Sequence, residues 1–178
     1  TTELSATGTA DSTTFLRGDN TWAAPNGADP AGWTTIVKSA NQDVTNSNVL
    51  VDDTDLQFSV VAGGHYMVEL DLCCSANSTS GLYKFSFFVS AGTMTGVGFS
   101  SQYSTANQTI SSSSNQSSVI TITTPFANID ALIAVSGRFN FRASANATFS
   151  FRFANTVAGL GRTSRTWKGS ILKYKRID

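Results

Sequence analysis

The chain has 178 residues, which suits one domain, or one domain with an appended segment, and excludes three. Only 13% of the residues are charged while 40% are hydrophobic, so the composition does not predict disorder by charge repulsion. Serine, threonine, asparagine and glutamine total 64 residues, which predicts a surface rich in hydroxyl and amide groups. We expect a soluble chain without membrane insertion, because no window approaches the roughly 18 consecutive apolar residues of a membrane helix.

The first 32 residues differ from the rest of the chain. Their few apolar side chains are separated by polar ones, so they cannot bury a core by themselves. The stretch from Asn26 to Gly32 has the composition of a turn or linker. We therefore predict an extended connecting or attachment segment over residues 1–32 and a globular head domain over residues 33–178.

Beyond Trp33 the hydrophobic pattern alternates with a period of two, which predicts β-strands, and no amphipathic helical repeat is present. The predicted strands are Thr34–Lys38, Leu56–Val61, Tyr66–Cys74, Tyr83–Val89, Gly96–Tyr103, Ser117–Thr124, Leu132–Arg142, Ala147–Ala154 and Trp167–Arg176. In the strand Tyr66–Cys74, one face is expected to carry Tyr66, Val68, Leu70 and Leu72, and the other face Met67, Glu69, Asp71 and Cys73.

Two connections read as hairpin turns. Gly63-Gly64 separates two predicted strands, and Ala143–Asn146 separates two strands in which phenylalanines alternate with polar residues. The second connection predicts an antiparallel hairpin with cross-strand phenylalanine pairs. Eight to ten short strands with regularly spaced turns predict an all-β fold, an antiparallel β-sandwich of jelly-roll-like architecture.

Two strands are apolar on both faces, Phe85–Val89 and Leu132–Val135. Such a strand lies either in the middle of a monomer or between its own sheet and a neighbouring subunit. We expect an oligomer on this pattern.

The charges are divided along the chain. Residues 1–71 contain ten acidic and two basic residues, whereas residues 72–178 contain two acidic and ten basic ones. Either early and late strands pair side by side, so that opposite charges meet, or the two halves meet across a subunit boundary. We expect no nucleic-acid partner, because the total charge is low.

The residue types needed for catalysis are scarce. His65 is the only histidine, which excludes a histidine-based triad and a multi-histidine metal site, and no pair of carboxylates stands out as a glycosidase pair. We expect no enzyme activity and no cofactor, and the sequence nominates no catalytic, cofactor-binding or metal-binding residue. Cys73 and Cys74 are adjacent in a strand, where they point to opposite faces, so they are expected to be packing residues.

Three short motifs leave alternatives open. Asp52, Asp53 and Asp55 could share a cation, or they could belong to a solvated loop before the strand at Leu56. Arg17-Gly18-Asp19 matches an integrin-binding tripeptide, although its neighbours argue for another role. Asn-x-Ser/Thr sites at Asn77, Asn107, Asn115 and Asn146 carry little information in a chain this rich in those residues.

The segment Ser5–Trp22, with Gly8-Thr9 followed by Thr14-Phe15-Leu16-Arg17-Gly18-Asp19-Asn20-Thr21-Trp22, resembles a short element of bacteriophage tail-fibre and other virion appendage proteins. Asn20 stands where that element usually has glycine, and asparagine also tolerates a positive φ. Lys38–Ser47, Asp52–Phe58 and Gly169–Leu172 are similar, less specifically, to parts of phage structural domains.

This resemblance implies a virion protein, assembled in the cytoplasm of a bacterial host, whose β-sandwich head forms a homotrimeric fibre or spike. It also implies that Arg17-Gly18-Asp19 belongs to a turn, and it carries over no catalytic residue. Residues 1–32 would contact other virion proteins, and hydroxyl-rich loops such as 75–80, 100–108 and 111–118 would meet a host-surface glycan or protein. The alternative is a capsid-decorating or head-fibre protein that binds only other virion proteins, and the sequence does not distinguish head from tail.

Overall fold

A computed structural model describes residues 7, 15–16, 20, 22–23, 32–77, 83–96, 100–101, 117, 119–122 and 128–178 of the chain. The chain divides into two compact units, Thr1–Thr34 and Thr35–Asp178. In the described ranges all regular structure is β, and no helix could cross a membrane.

The first unit contains a two-stranded antiparallel sheet of β1 (Phe15–Leu16) and β2 (Trp22–Ala23). The backbone of Thr7 joins it, since its N–H donates to the carbonyl of Asn20 and its carbonyl accepts from the N–H of Trp22. Asn20 has a φ of 65°, a conformation that asparagine tolerates better than most residues other than glycine. The Arg17-Gly18-Asp19 tripeptide lies outside the described residues.

The second unit is built from twelve further strands in the described part of the chain. They are β3 (Thr34–Val37), β4 (Gln42–Thr45), β5 (Val51–Val60), β6 (His65–Ala76), β7 (Tyr83–Val89), β8 (Met94–Thr95), β9 (Ser100–Ser101), β10 (Ile120–Thr121), β11 (Ile133–Ala143), β12 (Ala147–Asn155), β13 (Thr163–Thr166) and β14 (Ile171–Arg176).

These strands form two antiparallel sheets. The small sheet has the order β10-β7-β12-β5. The large sheet has the order β3-β14-β6-β11-β8, while β13 pairs with β4 and β6, and β9 pairs with β11. β13 and β14 both pair with the same edge of β6, and β4 and β3 lie beside β13 and β14 in turn. The large sheet therefore has four main rows, with the two-residue strands β8 and β9 beside β11 at its edge.

The order in which the chain visits the two sheets defines the topology. The main rows are visited in the order β3/β4 (large), β5 (small), β6 (large), β7 and β10 (small), β11 (large), β12 (small) and β13/β14 (large). Between β7 and β10 the chain also adds the two-residue strands β8 and β9 to the edge of the large sheet. This is the double Greek-key order of a jelly roll. The predicted all-β, antiparallel, jelly-roll-like sandwich is therefore confirmed.

The core between the sheets is largely aromatic. Phe149 on β12 lies at its centre, with ring centroids 4.8 Å from Phe58, 5.9 Å from Phe87, 5.9 Å from Phe139 and 5.2 Å from Phe141. Aromatic pairs at these distances add to the stabilisation from burial alone. Along β6 the residues from Tyr66 to Cys74 alternate between buried and less buried, as the sequence predicted.

Both predicted hairpins are wrong. The Gly63-Gly64 turn connects β5 of the small sheet to β6 of the large sheet, and Ala143–Asn146 connects β11 of the large sheet to β12 of the small sheet. The phenylalanines of β11 and β12 therefore meet across the core and not along a shared ladder. A short turn between two amphipathic strands allows either arrangement, because both bury the same apolar faces.

Some strand bounds also differ from those predicted. The sequence did not predict β4 or β13, which are short and polar. In the described residues, the predicted strand Gly96–Tyr103 is reduced to β9, and the predicted strand Ser117–Thr124 to β10.

Candidate functional site

The run Asp52–Asp55 lies inside β5, so the solvated loop considered from sequence is wrong. The ladder between β5 and β12 is irregular here, since Ser150 pairs with Gln57 and Arg152 pairs with Asp52. The irregularity turns Asp53 inward, where it is completely buried.

Lys38, which follows β3, is the partner of the buried carboxylate. Its Nζ lies 2.9 Å from Oδ1 of Asp53, and both side chains are fully buried. The same Oδ1 accepts the backbone N–H groups of Asp55 and Leu56, each at 3.0 Å. A buried ion pair needs such additional hydrogen bonds to offset desolvation of the two charges.

Two more oxygen atoms surround the Lys38 ammonium. Oε1 of Gln42 lies 3.3 Å away and Oδ2 of Asp55 lies 3.7 Å away. Asp55 also accepts hydrogen bonds from the backbone N–H and the hydroxyl of Ser39, at 2.9 and 3.0 Å. The Ser39 N–H is the main cause that lowers the pKa of Asp55, since it stabilises the charged carboxylate.

The ammonium of Lys38 lies among oxygen atoms of Asp53, Asp55 and Gln42. Asp52, the third carboxylate of the run, is paired with Arg152, whose Nε lies 2.5 Å from Oδ1. Among the residues that the structure describes, no group of three or more His, Cys, Asp or Glu side chains could hold a metal ion. The acidic run is thus part of an ion-pair network within the protein.

The charge division along the chain has its counterpart in strand pairing. Asp43 of β4 faces Arg165 of β13, with Oδ1 and Oδ2 accepting from Nε and Nη2 at 2.6 and 2.8 Å. Asp52 of β5 faces Arg152 of β12, and Glu69 of β6 accepts from Arg138 of β11. Early acids and late bases therefore meet on neighbouring strands within one chain.

His65 and the two cysteines lie apart from this network. His65 begins β6 and faces Arg142 across the ladder. Cys73 is half-buried on the outer side of β6, whereas Cys74 is buried in the core, where desolvation raises the pKa of its thiol. A neutral, buried thiol is a poor nucleophile.

Sequence reasoning did not single out Lys38 or Asn155. Lys38 is one of only two basic residues among residues 1–71, which contain ten acidic residues. This excess of acids was the one sequence feature that could have indicated an ion pair at Lys38. Asn155 is buried at the end of β12 and donates from Nδ2 to the carbonyls of Val44 and Ser47, while its Oδ1 accepts from the hydroxyl of Ser164. Nothing in the local pattern indicated this.

Asn155 ties together loops at one end of the sandwich, which we call the far end. The loops are residues 46–50, before β5, and 156–162, after β12, and the N–H of Asn46 donates to the carbonyl of Arg162 at 2.7 Å. Asn77 holds the second loop through Gly161 and Thr163. The far end is therefore an ordered set of loops.

Several large apolar side chains are exposed at the far end. Leu160 is 96% exposed, on a turn in which the N–H of Arg162 donates to the carbonyl of Gly159 and Gly161 has a φ of 75°. Val49 and Val157 are exposed in the same two loops, and Leu132 is exposed just before β11. Val49 lies beside Ser47 and Asn48, whereas the loop 156–162 is mostly glycine, alanine and apolar residues and ends in Arg162.

The chain enters the sandwich at the opposite end. Lys38, just after the end of β3, donates its N–H to the carbonyl of Ser170, just before the start of β14. The end of β3 therefore lies beside the start of β14, and the two neighbouring strands run in opposite directions. The start of β3 thus lies towards Arg176, which pairs with Tyr66 just after the Gly63-Gly64 turn. Most of loops 100–108 and 111–118, with Asn107 and Asn115, lies outside the described residues.

Neither a protein-family model nor a curated protein matches the chain. Among solved structures, the chain is similar to the structure of infectious bursal disease virus Gt strain, with 11% identity and a TM-score of 0.26. It is also similar to the VP2 subviral particle of infectious bursal disease virus, with 10% identity and a TM-score of 0.25. A third similar structure is that of the Gx strain of the virus, with 9% identity and a TM-score of 0.24. The matches cover 88% of this chain but only 39–40% of those chains, and the scores are too low to transfer a function.

Proposed function

We propose that this protein is a non-enzymatic structural protein of a bacteriophage virion, the head of a homotrimeric fibre or spike that takes part in attachment to the host surface. The observation that carries the proposal is the presence in one chain of a phage-appendage-like segment, Ser5–Trp22, and a jelly-roll domain. Jelly rolls are frequent in viral coat proteins and in lectins, which bind through their outer surfaces.

The local geometry of the N-terminal segment supports this proposal. A glycine in a turn often marks a residue that needs a positive φ, and Asn20 at that place has a φ of 65°. The conformation is thus compatible with the turn that the resemblance implies, in spite of the changed residue.

The chemistry of the jelly roll also fits an adhesive rather than a catalytic role. Asp52 and Asp53 of the acidic run are paired with Arg152 and Lys38, and the buried Cys74 is a poor nucleophile. What the protein offers to a partner is its surface, for which the composition predicts many hydroxyl and amide groups. Such groups make many weak contacts that three copies in one fibre strengthen by avidity.

Within the jelly roll, the far end is the best candidate for contact with a receptor. Its loops are ordered by Asn155 and Asn77, it exposes Leu160 and Val49, and the chain enters the domain at the other end. A rigid loop set that exposes apolar side chains fits a receptor such as a glycan or a protein.

Two measurements test the proposal. Sedimentation velocity of the full chain over a wide dilution range is expected to show a stable trimer, and the purified trimer is expected to adsorb to host cells. A monomer at all concentrations would contradict the fibre or spike head. A trimer that binds phage capsids and no cells would overturn the attachment role and favour the capsid-decorating alternative.

A further inference from the structure

The buried pair of Lys38 and Asp53 places an amine against a carboxyl group where water does not reach. Nζ of Lys38 lies 2.9 Å from Oδ1 of Asp53, and both side chains are completely buried. Such a pair offsets the desolvation of its two charges only when the remaining polar atoms are also satisfied. That condition is not met in full, because Oδ2 of Asp53 has no hydrogen-bond partner among the described residues.

The two oxygens of the Asp53 carboxylate have different surroundings. Oδ1 accepts the backbone N–H groups of Asp55 and Leu56, each at 3.0 Å, in addition to its contact with Lys38. Two N–H groups aimed at one carboxyl oxygen form the arrangement that stabilises the negative oxygen of a tetrahedral intermediate in acyl transfer. Oδ2 is held by no hydrogen bond in the described structure, so it is the oxygen that can leave.

Asp55 places a proton-accepting group beside the pair. Its Oδ2 lies 3.7 Å from Nζ of Lys38. Hydrogen bonds from the N–H and the hydroxyl of Ser39 lower the pKa of Asp55, so its carboxylate is ionised at neutral pH and can accept a proton. Because this side chain is 26% exposed, it connects the closed pair with solvent.

We propose that Lys38 and Asp53 become joined by an intramolecular amide bond, an isopeptide bond that the folded chain forms by itself. The Asp55 carboxylate takes a proton from the ammonium, and the freed amine attacks Cγ of Asp53. The N–H groups of Asp55 and Leu56 stabilise the charge that develops on Oδ1, and Oδ2 leaves as water.

The reaction balances without a further reactant. One C–N bond forms and one C–O bond breaks. Of the three protons of the Lys38 ammonium, one stays on the amide nitrogen and two leave with Oδ2 as water, relayed by Asp55. No atom is oxidised or reduced, and the charges of the ammonium and the carboxylate cancel in the neutral amide and water.

Position and burial both favour this product. The fold holds amine and carboxyl group in contact, so the reaction does not depend on a collision between separate molecules. The neutral amide also removes the cost of keeping two charges out of water. The ion pair of Lys38 and Asp53 in the structure is the reactant of this step.

The bond would join the two sheets covalently. Lys38 follows β3 at the edge of the large sheet, whereas Asp53 belongs to β5 of the small sheet. Residues 38–53, which include β4, would be closed into a loop. Tension on the chain before β3 would then pass from Lys38 directly into β5 and would not pull β4 away from β13. The reaction occurs once in each chain and turns over no substrate, so it requires neither the trimer nor the attachment role proposed above.

Intact-mass spectrometry of the denatured full chain tests the proposal directly. We expect most molecules to weigh one water molecule less than the sequence requires. Trypsin cleaves after a lysine only when its amine is free, so digestion should give one peptide from Gly18 to Lys84 with the same deficit. Fragmentation of that peptide should release no piece from between Lys38 and Asp53.

Two matched variants test the role of Asp55. Asp55→Asn and Asp52→Asn both replace an aspartate of β5 by its amide, but Asp52 pairs with Arg152 and not with Lys38. In chains freshly synthesised by cell-free translation, we expect Asp55→Asn to slow the loss of water at least about tenfold, with circular dichroism unchanged. Asp52→Asn should react as fast as the wild type. Equal rates in all three proteins would overturn Asp55 as the proton relay.

The wild-type mass decides the main point without any variant. A mass equal to that of the unmodified sequence, with normal cleavage after Lys38, would overturn the isopeptide bond. A deficit that persists in Lys38→Met would also overturn it, since an aspartyl succinimide elsewhere in the chain loses water as well. A deficit confined to the peptide from Gly18 to Lys84, present in Asp52→Asn and absent from Lys38→Met, would support the bond. Because masses are read on denatured chains, a monomeric protein would contradict the proposed fibre head and leave this inference intact.

Discussion

The ammonium of Lys38 lies 2.9 Å from Oδ1 of Asp53, and neither side chain reaches solvent. Lys38 follows β3 of the large sheet, whereas Asp53 belongs to β5 of the small sheet, so the pair links the two sheets at one side of the sandwich. Oδ2 of Asp53 is buried without a hydrogen-bond partner in the described structure, which leaves the carboxylate strongly dependent on the ammonium.

Replacing Lys38 with methionine should therefore destabilise the domain strongly. The change leaves a buried carboxylate without a counter-charge, and we expect a loss of about 3–5 kcal/mol in the free energy of unfolding, measured by urea denaturation. Arg138→Met, which breaks an exposed pair with Glu69, is the control and should cost less than about 1 kcal/mol. Equal losses in the two variants would contradict a special role for the buried pair.

Asp55→Asn should reduce stability at neutral pH and make it less sensitive to acid. The hydrogen bonds from Ser39 lower the pKa of Asp55 in the folded state, so the ionised carboxylate favours folding above its ordinary pKa of about 3.9. That contribution is lost as the pH falls through the lowered pKa. The difference between wild type and variant in thermal unfolding should thus shrink on acidification, whereas a constant difference would refute this explanation.

The pair of Asp43 and Arg165 should tolerate exchange of its two charges. Each single reversal, Asp43→Arg or Arg165→Asp, places like charges on facing residues of β4 and β13 and should destabilise the protein. The double variant should recover part of the loss, with a coupling energy of about 0.5–1 kcal/mol in a double-mutant cycle. Recovery is incomplete because Arg165 also lies 3.9 Å from Asp130, which the exchange leaves facing a carboxylate. Additive effects would show that the two side chains do not interact in solution.

Phe149→Ala should be among the most damaging core substitutions. The ring contacts aromatic residues of both sheets, and its loss leaves a cavity that costs about 3–5 kcal/mol. Phe88→Ala, on the outer side of the small sheet beneath Arg152, removes a ring of the same size outside the core. Urea denaturation should show a clearly smaller loss for that control.

Asn155→Ala should loosen the far end without unfolding the domain. The substitution removes the bonds to Val44, Ser47 and Ser164 and leaves buried polar groups unpaired, at a cost of about 1–3 kcal/mol. Hydrogen exchange measured by mass spectrometry should become faster in peptides covering residues 46–50 and 156–162. Asn128→Ala, at an exposed turn, is the control. If that variant accelerated exchange in the same two loops to a similar extent, Asn155 would not be the residue that holds them together.

Much of the secondary structure follows from local pattern. The bounds of β7 agree with the prediction, and the alternation along β6 placed Tyr66 and Val68 inward and Met67 and Glu69 outward as observed. These features depend on one strand at a time, because successive side chains of a strand point to opposite faces. Strands β4 and β13 escaped prediction because they are short and their polar residues are held by pairing with neighbours.

The candidate sites were less predictable. The sequence left open whether Asp52, Asp53 and Asp55 share a cation or lie in a solvated loop. It had no means of assigning their separate partners, Arg152 at a distance of 100 residues and Lys38 at 15. Asn155 carries no pattern of its own, since its role depends on carbonyl groups of Val44 and Ser47 far away in the chain.

By itself, the sequence determined an all-β chain, the inward face of its main strands, and two oppositely charged halves available for pairing. Tertiary structure decided which strands share a sheet: the Gly63-Gly64 and Ala143–Asn146 turns cross between sheets, and Phe141 meets Phe149 through the core. The physical reason is that alternation specifies only which side of a strand is apolar. Whether that side is covered by a neighbour in the same sheet or by the opposite sheet depends on packing of the whole chain.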